Sequence, residues 1–365
     1  MAELFAATGS TNLAAMTPTQ WSPLLHHEIQ NRLFFKKHNL QGEDTGDSGT
    51  LNAEESGVAI IQKTELNKNP GDHIKIGLMR ELGGAGVYGA TALTDAEVAL
   101  RIYDMDIYVD LWRQGTAYTG FLNSQRNPFK VALSNLQRLA LVNWMAQLLD
   151  NQLFYAFYHG WSQHVIAAYG GATDTAHPNK LYAGGASNDA GLTSECVMNA
   201  EMLERLATYA ADNNINQVNV NGDQYWVLVI HPYQLHNLRL DTTLREDFRS
   251  AGVRGKDNPI FSGADIIFNN LIVFTTKKID AVGSTGEDAN KRKALLIGAH
   301  AMAQAIGRKP WPEDCDNTDF KLKAGKSINC IFGQARADFI SDDSASTKLN
   351  QSSVEVHTYA KNPNP

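Results

Sequence analysis

Glycines, carboxylates, histidines and thiols are the residues from which this chain could build chemistry, and spacing tests each group. Gly84-x-Gly86-x-x-Gly89 has the letters of a dinucleotide-binding turn. Such a turn needs a strand before it, a helix starting on it, and an acid roughly twenty residues later to hold a ribose. A strand-like stretch precedes the glycines, and Asp104 or Asp106 could be the acid. Ala90-Thr91-Ala92-Leu93-Thr94 is not the first turn of a helix, so a flexible hairpin tip is the preferred reading. Gly325-Lys326-Ser327 ends like a phosphate loop, but the loop's first glycine falls at Phe320 and no backbone cradle can form. Asp314, Asp316 and Asp319 cluster, yet the sixth and twelfth positions of a calcium loop would be Asp319 and Gly325 in place of glycine and glutamate. A solvated loop, with at most weak adventitious cation binding, fits them better.

His26 and His27 are adjacent, and His231 and His236 are five apart; a zinc-binding helix wants two histidines four apart. His231 precedes Pro232 at the end of an apolar run, where capping is the usual role. Asp104, Asp106 and Asp110 have no nucleophile or base close in sequence. Cys196, Cys315 and Cys330 are odd in number with no metal spacing, and read as free thiols in a reducing cytosol. There is no Gly-x-Ser-x-Gly elbow and no local Cys–His signature. No catalytic residue, cofactor or metal is expected.

The elements around these residues are more informative. His73 to Leu82 reads as a strand, Gly83-Gly84-Ala85-Gly86-Val87-Tyr88-Gly89 as a bent or flexible tip, and about Val98 to Leu111 as a returning strand. A helix is expected over 128–160, with Asn127 as cap, Pro128 at the first helical position and Gly160 as the left-handed stop. At 1.5 Å per residue it is on the order of 50 Å long. Phe129, Leu133, Leu136 and Ala140 mark one apolar stripe, and Val142, Ala146, Leu149, Leu153 and Phe157 another; burial on more than one side along its length is expected. Before the hairpin, Trp21 to Leu40 places Leu25, Ile29, Leu33 and Phe34 at helical spacing. Loop-like chain flanks it, so it is either an arm that docks elsewhere or a helix packed on its own domain.

Further on, 161–193 reads as a long loop and Ser194 as the cap of a helix ending near Asp212. Tyr225 to Ile230 is a buried strand, Pro232 to Leu238 a helical turn and Thr242 to Ala251 a short helix. Asp265 to Thr276 is a strand pair turning at Asn269-Asn270. Lys293 to Ile306 reads as strand then helix, with Gly298, Ala299, Ala301 and Ala303 for close packing. Phe320 to Phe339 reads as strands, and the last twenty residues as a frayed tail.

The 365 residues allow two or three domains, or one with insertions. A net charge of −7 argues against a dedicated nucleic-acid binder, which carries a basic stripe. Met1-Ala2-Glu3-Leu4-Phe5 does not open a secretion signal. No apolar window reaches membrane-spanning length, so no membrane partner is expected.

In order and spacing the chain resembles the major capsid proteins of tailed bacteriophages, N4-type, with the HK97-like fold, from about Trp21 to Phe339. The carriers are Leu66-x-x-x-x-Gly71-Asp72, Leu82-Gly83-Gly84 with Gly86-Val87-x-Gly89, Glu97 leading into Tyr108, and Trp144 and Asp150 in the long helix. They continue with His231-Pro232-x-Gln234-x-x-x-Leu238-Arg239, Asn258-Pro259-Ile260-Phe261-x-Gly263, Leu296-Ile297-Gly298-Ala299-x-Ala301 and Gly333-x-x-Arg336-x-x-Phe339. Lysine is the family residue expected at 336.

The resemblance implies an α+β fold with an N-terminal arm (1–58) and an extended E-loop with peripheral-domain strands (59–126, the loop itself about 59–105). A spine helix and following loop (127–193), an axial domain (194–310), returning peripheral strands (311–345) and a tail (346–365) complete the map. It implies self-assembly in hexamers and pentamers into an icosahedral virion shell around double-stranded DNA. Gly83, Gly84, Gly86 and Gly89 would form the assembling tip, and Trp21, Leu25, Ile29, Leu33 and Phe34 the arm contacts. It further implies portal and scaffolding or decoration partners, only non-specific proximity to DNA, and synthesis in a bacterial cytoplasm. A dinucleotide-binding enzyme using Gly84, Gly86 and Gly89, or another self-associating phage structural protein, is the alternative.

Overall fold

The computed structural model describes residues 28–43, 57–79, 86–88, 94, 102–119, 133–168, 176–250 and 266–363, with short gaps inside these ranges. Trp21, Leu25, Gly83, Gly84, Gly89 and the Asn127-Pro128 helix start lie outside them. In chain order the first elements are α1 (Phe34–Lys37), β1 (Gln41–Glu43), β2 (Ile60–Lys63), β3 (His73–Met79), β4 (Ile102–Tyr108) and β5 (Asp110–Thr119). The middle holds α2 (Leu133–His159), α3 (Gln163–Ala168), β6 (Lys180–Tyr182), α4 (Ala200–Asp212), β7 (Val218–Val220), β8 (Asp223–Ile230), α5 (Pro232–Leu240) and α6 (Thr242–Ser250). The last third is strand: β9 (Ile266–Phe268), β10 (Leu271–Thr275), β11 (Lys291–Ile297), β12 (Met302–Thr318), β13 (Lys323–Arg336), β14 (Phe339–Ser341), β15 (Ser344–Leu349) and β16 (Ser353–Tyr359). The fold class is α+β, as expected.

Three sheets result. The largest runs β6-β16-β11-β8-β10-β9, with β7 also on β8. It is buried on both faces, which is why Trp226-Val227-Leu228-Val229-Ile230 reads as an unbroken apolar run. Val227 and Val229 pack with Leu153, Phe154 and Phe157 of α2, while Leu228 and Ile230 pack with Leu203 and Leu206 of α4. Asn269 (φ 47°) and Asn270 (φ 60°) make the β9–β10 turn, since a two-residue hairpin needs both in the left-handed region and asparagine tolerates it. The second sheet runs β1-β2-β12-β13-β5 and the third β15-β14-β4-β3.

The second and third sheets share a corner. Ser341↔Tyr103 and Ile340↔Asp104 pair β14 with β4, and one residue after β4 the chain joins β13 through Asp110↔Phe332. Gly333 sits under this corner: a Cβ there would lie 1.7 Å from the Tyr108 carbonyl oxygen, so only glycine fits. Helix α2 ends where expected, at Gly160 with φ 86°.

Several expectations need correction. Asn199, not Ser194, caps α4, its side chain accepting from Met202 N at 2.9 Å. The stretch after Gly298 is β12 and not a helix. Its alternate residues face two buried surfaces, so Ala301 to Ile306 are all buried and show neither period. Gly298 does serve close packing, since a Cβ would lie 2.4 Å from Ile215 Cγ2. The 161–193 loop contains α3 and β6. The strand after the glycine tip does not stop at Leu111: β5 continues to Thr119 along β13. Helix α2 is buried all round only in its C-terminal third; Leu136, Leu139 and Ala140 are exposed. Most consequential, residues 353–359 are no frayed tail. They form β16, inserted between β6 and β11 and buried except at Tyr359.

Candidate functional site

The glycine tip is placed by its flanks. Met79 pairs with Ile102, and the register runs antiparallel to His73↔Tyr108, so the chain that leaves β3 returns along its own neighbour. A dinucleotide site requires parallel strands joined by a crossover helix, and an antiparallel pair cannot supply one. Gly86 has φ 64° with nothing within 4 Å of an added Cβ. Its glycine is therefore required by backbone conformation. Tyr88 beside it is 90% exposed.

The other candidates disperse. Lys75 bonds Asp104 at 2.7 Å and lies 3.7 Å from Asp106, a surface ion pair across β3 and β4. Asp110 lies 2.7 Å from His164, and Asp314 3.5 Å from Lys326. His231 is a cap: its Nδ1 accepts from Tyr233 N at 3.2 Å, while Gln234 accepts from His231 N at 2.7 Å. Burial, with Arg292 and Lys277 nearby, pulls His231 down to about 4. Cys196 and Cys330 are buried and free, and burial pushes the Cys330 thiol up to about 12. Among the described residues no group of three or more His, Cys, Asp or Glu side chains could hold a metal ion.

One buried pair has the composition of a nucleophile and its base. Ser353 Oγ lies 3.0 Å from His177 Nε2. Asn179 N donates to His177 Nδ1 at 3.1 Å, which puts the imidazole proton on Nε2. That nitrogen donates to the serine, and the serine donates to Asn350 Oδ1 at 3.1 Å. A nitrogen already carrying its proton cannot take one from the hydroxyl, so this chain of bonds is structural. Burial and the charge of Arg336 hold His177 at about 3, neutral at physiological pH.

The strongest electrostatic feature sits behind it. Arg336 is almost wholly buried. Its Nη1 donates to the carbonyls of Phe157 (2.7 Å) and Tyr158 (3.3 Å) in the last turn of α2, where a cation suits the helix dipole. Its Nε reaches both Asp338 oxygens at 2.9 and 3.0 Å, and Nη2 adds a 2.5 Å bond. Asn350 Nδ2 donates to the same carboxylate at 2.8 Å. The lysine expected at 336 could not fork in this way. Nearby, His357 holds a carboxylate on each ring nitrogen, Asp189 on Nδ1 and Glu355 on Nε2 at 2.8 Å. Burial alone would raise Glu355, but the His357 bond and Lys293 at 3.2 Å override it and hold it at about 2. The signal for this network is visible only in hindsight, as the alternation of Val354 and Val356 with Glu355 and His357.

Ile29 and Leu33 are buried against Leu141, Val142, Met145 and Leu149 of α2, inside the same chain, and Phe34 is half-buried. Phe34 N points at both Asp150 oxygens (3.2 Å each), and Lys278 reaches the same carboxylate at 2.9 Å. Burial raises the Asp150 carboxyl, and Lys278 only partly offsets it. Asp150 thus ties the N-terminal segment, the long helix and the chain after β10 together.

What the described surface offers is edges and long ribbon. Strands β5, β13 and β12 extend well past the α2 contact, with Arg113, Gln114, Gly115 and Ala117 exposed on the outermost strand. Such a surface suits pairing with other chains.

A family model described as phage capsid protein matches residues 19–362. The major capsid protein of Pseudomonas phage KPP25 is 25% identical, over 90% of this chain and 92% of that one. The capsid of Ralstonia phage GP4 superposes with a TM-score of 0.69 at 22% identity, covering 91% of this chain and 92% of that chain. The capsid of Helicobacter pylori bacteriophage KHP30 gives 0.64 at 14% identity, over 88% and 90%.

Proposed function

This chain belongs to the phage capsid protein family, and from that premise we propose that it is the major subunit of an icosahedral head enclosing double-stranded DNA. The observation that carries the reading is the extent of the family match, which takes in the N-terminal segment, the hairpin, the long helix and the C-terminal strand together. The domain map follows from the same reading: N-terminal arm, E-loop between β3 and β4, spine helix α2, axial domain on the seven-stranded sheet, and peripheral strands in the other two. The paired Met79 and Ile102 at its base support an E-loop that projects as one excursion. Gly83, Gly84, Gly86 and Gly89 let that tip bend differently in rings of five and six. Trp21 and Leu25 remain candidates for contacts with a neighbour, whereas Ile29 and Leu33 serve the subunit's own core.

The protein is not an enzyme in this reading; the buried Ser353–His177 pair is locked in a structural tautomer. It is made in the host cytoplasm, and portal and scaffolding or decoration proteins are its further partners. The mild net acidity lets packaged DNA move without strong pinning.

Negative-stain microscopy of purified protein at rising concentration tests the proposal, with closed shells expected; tubes would point to a sheath-like component and persistent monomers would reject assembly. Deleting 83–89 should leave a soluble subunit that forms no closed shells, and normal shells would remove the assembly role from the tip. Added NAD or FAD should leave the melting temperature unchanged.

A further inference from the structure

Residues 177–191 run along the outer side of β16 as a strap. Of these only His177 and Ala183 are buried, and the rest are half-buried or exposed. The strap's strand, β6, is the edge of the largest sheet and pairs with β16 through Lys180↔Glu355, Leu181↔Val356 and Tyr182↔His357 alone. Each end of the strap is fastened by a histidine, and the two rings stand in opposite protonation states. At the first end His177 belongs to the strap. Its Nδ1 accepts from Asn179 N at 3.1 Å while its Nε2 donates to Ser353 at 3.0 Å, so the bonds require a neutral ring. Asn179 extends this fastening: Nδ2 donates to the carbonyls of Asn350 (2.8 Å) and Ser353 (3.3 Å), and its own carbonyl accepts from Glu355 N at 3.0 Å. At the second end His357 belongs to β16. It turns one nitrogen to Glu355 and the other to the strap's Asp189, so both nitrogens carry protons. Lys291 Nζ adds a bond to the Asp189 carbonyl at 2.7 Å.

We propose that the strap is an acid-released latch, in which a proton on His177 Nδ1 frees residues 177–182 and bares the edge of β16. That proton sets an N–H against the Asn179 N–H, so the bond that positions β6 is lost. The new cation would also be buried beside Arg336. Two carboxylates face it, Glu355 from β16 and Asp338 from the segment after β13, and both are already committed. Glu355 holds His357 and Lys293, and Asp338 holds Arg336 and Asn350. Swinging His177 into water relieves both costs. Burial and Arg336 keep the closed ring at about 3, whereas a freed ring returns to the ordinary 6.5, so lowering the pH between these values favours the open strap. His357 already has both its protons and does not answer the same signal. Its end of the strap is the hinge. The bared strand offers unpaired backbone N–H and C=O groups. The latch belongs to the isolated subunit and stands apart from the shell reading.

Hydrogen exchange of the full-length chain, read by mass spectrometry with labelling times scaled for the intrinsic rate, tests the latch. Between about pH 6.5 and about pH 4.5, protection of peptides spanning 177–182 should fall roughly 50-fold, the ratio that follows from values near 6.5 open and 3 closed. Peptides spanning 141–158 of α2 should stay far better protected. Equal strap protection at the two pH values overturns the latch. So does a fall in step with α2, which is unfolding of the whole chain. His177→Gln can still accept from Asn179 N and donate to Ser353 but does not titrate, so its strap protection should hold constant; a wild-type fall in that variant overturns His177 as the trigger. His357→Gln should lower strap protection at both pH values and keep the ratio between them. A ratio that collapses there moves the trigger to the second end and overturns the proposal. The wild-type measurement decides the case whether or not either variant folds.

Discussion

The two ends of helix α2 have similar composition and opposite fates. From Gln152 to Gly160 only Tyr155 and His159 are not fully buried, and the last carbonyls are claimed by a buried guanidinium. From Leu136 to Asn151 the helix turns a charge-free face to solvent and keeps its ionisable groups on the other side. Hydrophobicity alone does not separate these situations. What separates them is what surrounds each end: at one, a sheet and an ionic network hold the rod; at the other, one face of the rod is left over. A subunit that must polymerise needs both, a rigid anchor and an uncommitted surface.

The comparison is broken most severely at its buried end. Arg336→Met should lose about 3–5 kcal/mol, because Asp338 is left charged and buried while two helix carbonyls lose their donor. Chemical unfolding would read this, and a loss below about 1 kcal/mol would show that the network holds nothing. Arg336→Lys should recover part of the stability, since it keeps the charge but not the fork.

Gly333→Ala comes next. Its methyl would occupy the space of the Tyr108 carbonyl oxygen, 1.7 Å away, so the corner between β4 and β5 must open. Overpacking of this kind costs about 1–3 kcal/mol. A wild-type melting temperature would mean that the corner is pliable.

Acid sharpens the contrast without a mutation. His177 sits at about 3 in the fold against an ordinary 6.5, so between these values the unfolded chain binds more protons and stability is lost as pH is lowered, by about 1.4 kcal/mol per unit. Glu355, at about 2 against 4.5, contributes fully above 4.5 and loses its contribution as pH drops from there toward 2. Unfolding free energies measured from pH 7 to 3 should therefore decline in two stages, and His177→Gln should lessen the slope of the first, with His231, at about 4, supplying the rest. An unaltered upper limb would remove His177 as its source.

The smallest effect belongs to the exposed end. Asn143→Asp or Gln147→Glu should change the stability of the isolated subunit by less than about 0.5 kcal/mol.

Much of the fold is legible in local chemistry. His231-Pro232-x-Gln234 announces a capped helix, Asn269-Asn270 a tight hairpin, and Gly160 the end of a long rod; each is a short-range constraint with one solution. The failures share a different physics. Ala301 to Ile306 alternate between two buried surfaces, so no polar period marks the strand. Strand β16 looks like a polar tail because Ser353, Glu355 and His357 are charged or polar, and the partners that complete their burial, His177, Asp189 and Lys293, lie far away in sequence. The glycine tip could be assigned a connection but no ligand, since it was the antiparallel register of its flanks that excluded a nucleotide fold. The arm remained ambiguous for a similar reason: Ile29 and Leu33 find their core on a helix more than a hundred residues later.

The insertion of β16 between β6 and β11 has a consequence for manufacture. The largest sheet cannot be completed until residue 359 has emerged from the ribosome, so β6 has no neighbour to pair with while translation is under way. A chain broken off before residue 353 lacks the strand that seats Glu355 and His357, and carries instead an open sheet with unpaired edges. Only a chain translated to its last strand can therefore present the finished sheet to a shell.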